Sequence, residues 1–161
     1  MYLAVGSKQE IVKIPIFNYT QRGHFSGMSI TNPEDGEEVL QIKIDDFAAN
    51  LELNKNVSLV KIDVEGMEYQ VLLGLNNLIS KNNPVIYMEL HSNNKYYSEI
   101  IDLVKKHKYK IYKHTTRGFN PDNYFGYKED RFRGGVDNNA IAIPLSYKNI
   151  PSSVQQLDEI N

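Results

Sequence analysis

The stretch Val57–Val64 constrains this chain more than any other. Leu59, Val60, Ile62 and Val64 make it nearly continuous in apolar residues, and Gly66 ends it. A strand apolar on both faces belongs inside a parallel sheet covered by helices. The downstream pattern agrees. Met67, Val71, Leu72, Leu75, Leu78 and Ile79 recur at helical spacing, and Pro84 marks the next boundary. Val85–Leu90 is a second apolar strand. Tyr97, Ile100, Ile101 and Val104 outline another helix, with Lys105, Lys106 and His107 suiting the negative end of its dipole. Tyr109–Lys113 is a third strand. The order β-α-β-α-β predicts an α/β fold with a parallel sheet.

The flanks are less regular. Tyr2–Val5 is a short apolar run stopped by Gly6-Ser7. Ile11–Phe17 reads as a strand, and Pro15 within it predicts an edge position. Asn18–Asp35 reads as a loop, Val39–Ile44 as a half-buried strand, and Asp45-Asp46 opens a short helical stretch over Phe47–Leu53. Thr115–Asn138 reads as a long irregular loop, of a length usually either functional or disordered. It carries Arg117, Arg131 and Arg133 beside Phe119, Tyr124, Phe125, Tyr127 and Phe132. Ala140–Leu145 is a final strand stopped by Pro144. The reading is one domain over residues 1–145 and a polar tail, 146–161, expected to fray.

Composition excludes several function classes. With 18 Lys+Arg against 20 Asp+Glu, the net charge of −2 offers no attraction to nucleic acid. The absence of Cys removes disulfides, thiolate zinc sites, iron–sulfur clusters and a Cys nucleophile. No run approaches a membrane span, and the N-terminal residues are charged too early for a signal peptide. The expectation is a soluble, cytoplasmic domain.

Chemistry is expected where strands end. Ligands of open α/β sheets bind outside the carboxyl ends of the strands. Asp63, Glu65 and Gly66 follow the first apolar strand, and Glu89 and His91 end the second, so all should emerge on one rim. Carboxylates and an imidazole there suit proton transfer, a polar substrate or a cation. Plainer readings stand beside this: Glu65 as a helix cap, His91 as a structural residue, and Gly66 and Gly74 as a tight turn and a close-packing position. A metal triad of Asp63, Glu65 and Glu89 matches no standard ligand motif. The loop around Gly23, His24 and Gly27 has no phosphate-binding spacing, which leaves His24 as a lone candidate base. The loop arginines suit an anionic or sugar-like substrate.

The segment VSLVKIDVEGMEYQVLLGL, Val57 to Leu75, with PVIYMEL from Pro84, resembles the FkbM family of S-adenosylmethionine-dependent methyltransferases. KIDDF, Lys43 to Phe47, matches that family's short first element. Lys61, Asp63, Glu65, Gly66, Glu68, Leu72 and Gly74 match its central motif, Pro84 and Glu89 its third, and NNAIAIP from Asn138 its last strand. The resemblance implies a Rossmann-like class I methyltransferase sheet, mostly parallel with an antiparallel last strand. It implies S-adenosylmethionine as cofactor and methyl transfer to a hydroxyl oxygen of a sugar, glycan, lipid or small metabolite.

On that resemblance, Asp63 contacts the cofactor and orients the reactants, Glu65 and Glu89 serve as catalytic residues on the acceptor side, and His91, Arg117 and Arg131 bind substrate; no metal is implied. The family's glycine-rich cofactor loop and ribose-binding acid have no counterpart here, so the 161 residues read as the C-terminal part of the domain. The strand at Leu59–Val64 would then offer an unpaired edge, suited to a homodimer or a partner chain. The alternative function is a non-catalytic remnant or binding module that pairs through that edge.

Overall fold

The computed structural model describes residues 3–16, 34–50 and 57–160. The stretch of residues 17–33, with Gly23, His24 and Gly27, and the end of the expected helix at Leu51–Leu53 lie outside the described residues.

β1 (Leu3–Val5), β2 (Glu10–Ile14) and β3 (Glu37–Ile42) form a three-stranded sheet with β3 in the middle, parallel to β1 and antiparallel to β2. β2 is an edge, and Pro15 lies just past its end, where a missing N–H removes no ladder bond. α1 (Ile44–Asn50) follows and starts earlier than the apolar pattern suggests.

β4 (Leu59–Ile62), β5 (Val85–Glu89), β6 (Tyr109–Arg117) and β7 (Val136–Pro144) form the second sheet, in the order β4-β5-β7-β6. β4 pairs parallel with β5, and β7 pairs antiparallel with both β5 and β6. β4, β5 and β6 therefore run one way and the last strand runs against them. This is the α/β architecture expected of a Rossmann-like methyltransferase sheet. β7 inserts between β5 and β6, so those two parallel strands are not neighbours.

α2 (Glu68–Gly74), α3 (Asn76–Asn82) and α4 (Tyr97–Lys106) share one core with the second sheet. Leu72, Ile79, Ile100 and Val104 meet Ile86, Met88, Ile111 and Ala142, all nearly or fully buried. Ile86 and Ile111 both register against Ala142, so these strand residues line one face. Burying a Leu or Ile contributes about 1.5–3 kcal/mol each, which makes this cluster the main support of the fold.

The sequence pattern suggests one helix from Met67 to Ile79, and the chain breaks it in two. A Cβ on Gly74 would collide with the Gly6 carbonyl oxygen, so the helix passes the first sheet closely only because glycine stands there. α3 has no cap from its own N-terminal residue. Asp45 supplies it from α1, accepting the Asn77 and Leu78 amides at 2.8 and 2.9 Å.

Three further expectations change. β4 is not buried on both faces: Leu59 is 60% exposed, because α2, α3 and α4 pack on the face that carries Ile62, Ile86 and Met88; beside β5, β4 has no second partner strand among the described residues. The loop after β6 is shorter than Thr115–Asn138, since Thr115 pairs with Asn138 and Arg117 with Val136. The tail does not fray. It forms α5 (Ser152–Gln155) and returns to β6, where Lys113 donates to the Asp158 carbonyl and Ile160 to that of Ile111, both at 2.8 Å.

Candidate active site at the carboxyl ends of β4 and β5

β4 and β5 are parallel, so the segments leaving them emerge side by side. After β4 comes Asp63-Val64-Glu65-Gly66, then α2. Gly66 has φ +76°, a conformation that L side chains rarely adopt, and this lets the chain turn tightly into the helix. Glu89 is the last residue of β5, and His91 follows it. Glu65, Glu68, Glu89, His91 and Asn94 line one open cleft of about 390 Å³.

Two hydrogen-bonded units shape this cleft. His91 Nε2 lies 2.7 Å from Glu89 Oε1. Glu68 is 3% exposed and, among the described residues, is the one buried charged side chain. Its Oε1 accepts the Gly66 N–H at 3.1 Å, and its Oε2 accepts Asn94 Nδ2–H at 2.8 Å. Asn94 Oδ1 in turn accepts the Tyr96 N–H at 2.8 Å. One buried carboxylate thus ties the turn after β4 to the loop after β5. Unpaired, it would be costly to bury.

The field of the rim is negative. Desolvation first, then the charges of Glu89, Asp63 and Glu68, push the Glu65 carboxyl above its ordinary value, and His91 partly offsets them. A carboxyl shifted this way holds its proton more readily than a solvated one. The Glu89–His91 pair can take a proton, since a ring nitrogen that donates to a carboxylate leaves the other with a lone pair.

Asp63 is not buried at a strand end as the apolar run suggests. β4 stops at Ile62, and the Asp63 side chain is 61% exposed and bonded to Lys61 Nζ at 2.6 Å. That bond and the charge of Asp63 raise the Lys61 pKa. Asp63 lies close enough to act on Glu65 electrostatically but does not line the same cleft. Among the described residues no three His, Asp or Glu side chains are arranged to hold a metal ion, so a triad of Asp63, Glu65 and Glu89 has no geometric support.

Arg117 and Arg131 are not brought to this cleft. Arg117 ends β6 and borders a separate hollow with Phe119, Asp130 and Val136. Arg131 is 80% exposed, 3.9 Å from Glu129, and borders another with Phe125 and Phe132. Chemical reasoning from the sequence missed Glu68 and Asn94. Glu68 stood out there only as a motif residue; the signal that could have found it is a glutamate on the buried helical stripe, one position past Met67.

A family model described as Methyltransferase FkbM domain matches residues 3–111. No curated protein and no solved structure matches the chain. Among the described residues, no helix is long and apolar enough to cross a membrane.

Proposed function

The chain belongs to the FkbM methyltransferase family, and from that premise we propose that it transfers a methyl group from S-adenosylmethionine to a hydroxyl oxygen of a sugar, glycan, lipid or small-metabolite acceptor. The observation that carries this reading is the 2.7 Å Glu89–His91 pair, set in one cleft with Glu65 at the ends of two parallel strands.

The donor set fits the cationic end of that cofactor. Asp63 and Glu65 bring carboxylates to the end of β4, and the negative field that raises the Glu65 pKa would be relieved by a positive ligand. Asp63 would hold that end of the cofactor, whose contribution when bound is an electrophilic methyl on sulfur. Glu65 and Glu89 would flank the acceptor. Glu89 would accept the N–H at His91 Nε2, leaving Nδ1 to take the hydroxyl proton. Positioning supplies most of the remaining rate. A cytoplasmic location belongs to the same proposal.

Calorimetric titration of S-adenosylmethionine into the purified chain tests the reading. One-to-one heat at micromolar strength supports it; silence at millimolar cofactor counts against activity of this chain. A second reading rests on the β4 edge, which has no partner strand among the described residues: a non-catalytic module that pairs with a copy of itself or a partner. Light scattering behind size exclusion separates the two, since this module would be dimeric or partner-bound and would not bind cofactor.

A further inference from the structure

The loop between β6 and β7 displays its aromatic residues instead of burying them. Tyr124, Phe125, Tyr127 and Phe132 are between 63% and 96% exposed. The loop is nevertheless ordered by its own polar groups. Asn123 Oδ1 accepts the Tyr127 N–H at 3.0 Å, and its Nδ2 donates to the Asn120 and Tyr127 carbonyls at 3.0 and 2.7 Å. Asp130 accepts the Phe132 and Gly134 amides at 2.8 and 2.7 Å. Arg133 holds a left-handed conformation at φ +53°. Local hydrogen bonds thus fix a shape that leaves the rings facing water, and clustered exposed rings mark binding surfaces.

The lining points to the ligand class. A cleft of about 470 Å³ is walled by Phe119, Phe125, Tyr127 and Phe132, with Glu129 and Arg131 on it. An acyl chain would desolvate those two charges and give them nothing in return. A phosphorylated ligand would meet Glu129 together with Arg131. A neutral sugar ring has an apolar C–H face for the aromatic walls and hydroxyls for the ion pair. The loop also lies on the catalytic side: His114 and Glu89 both register against Asn139, and the loop leaves β6 after Arg117, roughly 10 Å further along the same direction.

We propose that the β6–β7 loop is a saccharide site that seats the sugar of the acceptor beyond the Glu89–His91 rim. This rests on the methyl-transfer reading and narrows its acceptor to a glycan or sugar conjugate.

The test is binding of the full chain to an array of neutral hexose and deoxyhexose glycans. Wild type is expected to retain one or more glycans, and Phe125→Ala and Tyr127→Ala to bind them roughly tenfold more weakly, the loss of one aromatic contact. Both residues are exposed, so the variants keep the wild-type melting temperature. Lys148→Ala, past the opposite end of β7, should bind as wild type. No retained glycan, or variants that bind as well as wild type, overturns the proposal. So does sedimentation with phosphatidylcholine–phosphatidylglycerol vesicles that depends on Tyr124 and Phe125, which would give the loop to a lipid surface. Cofactor heat without glycan binding defeats this inference alone; glycan binding without cofactor heat defeats the methyl-transfer reading instead.

Discussion

Asn94 Nδ2 donates to Glu68 Oε2 at 2.8 Å, and that bond joins the two loops that carry Glu65 and His91. Glu68 holds the Gly66 amide with its other oxygen, at 3.1 Å. Glu68→Ala removes both bonds and strands two donors near the core. Hydrogen bonds to a charged group contribute about 1.5–3 kcal/mol each, so the variant should lose about 2–3 kcal/mol after partial rehydration. Asn94→Ala also loses two bonds, the one to Glu68 and the one its Oδ1 accepts from the Tyr96 N–H, and should lose a comparable amount. Urea unfolding midpoints read both, and a Glu68→Ala midpoint equal to wild type would remove Glu68 from this role.

Two glycines should respond to alanine for different reasons. At Gly66 a Cβ meets nothing within 4 Å, so the penalty is the left-handed backbone alone, about 1–2 kcal/mol. Asn tolerates that region better, so Gly66→Asn should recover part of the loss. At Gly74 a Cβ runs into the Gly6 carbonyl oxygen. There alanine must push a strand end away from a helix, and its better helix propensity, about 1 kcal/mol, will not offset that. Thermal melting should rank Gly74→Ala below Gly66→Ala, and the reverse order would contradict the packing account.

Legibility in the sequence followed the apolar signal. β5, α4 and the start of α2 were readable because their buried residues repeat at strand or helix spacing. The outer halves of β6 and β7 were not. His114, Thr115 and Thr116 face Asn139, Asn138 and Asp137, and these polar residues are strand only because each segment supplies the other's backbone partners. Asp158–Ile160 was missed for the same reason, as a pairing made far along the chain. The close approach at Gly74 depends on Gly6, which no local pattern links to it. The rim residues Glu65, Glu89 and His91 were placed together from the rule of strand ends, whereas the exposure of Asp63 depends on how far β4 extends.

The raised pKa of Glu65 fixes the sign of a pH effect. A carboxyl that holds its proton more tightly folded than unfolded contributes stability that is fully present below its unfolded pKa. That contribution is lost as pH rises through the folded value. Glu65→Gln keeps the neutral form at all pH. Its melting temperature should match wild type in acid and exceed it as pH climbs past the ordinary glutamate range. Salt should narrow the gap, because part of the shift comes from exposed like charges. A wild type more stable than Glu65→Gln at neutral pH would reverse the assignment.

His91→Asn tests the proton acceptor. If His91 Nδ1 takes the hydroxyl proton, turnover should fall about 10²–10⁴-fold with little change in KM. Glu89→Gln should also lower turnover, because the carboxylate that holds Nε2 at 2.7 Å loses its charge and with it the hold on the ring. A purely structural His91 would lower stability and leave turnover of the folded protein unchanged.

Asp63→Ala separates role from fold. The side chain is 61% exposed, and its bonded partner at 2.6 Å is the equally exposed Lys61. Such surface pairs contribute little against water and salt, so the melting temperature should stay close to wild type. Cofactor heat and methyl transfer should both be lost, because Asp63 is the carboxylate proposed to hold the cationic end of the cofactor. Asp63→Asn should restore the shape without the charge and should remain inactive. Wild-type turnover in Asp63→Ala would strip Asp63 of its role, and turnover in Asp63→Asn alone would reduce that role to a hydrogen bond.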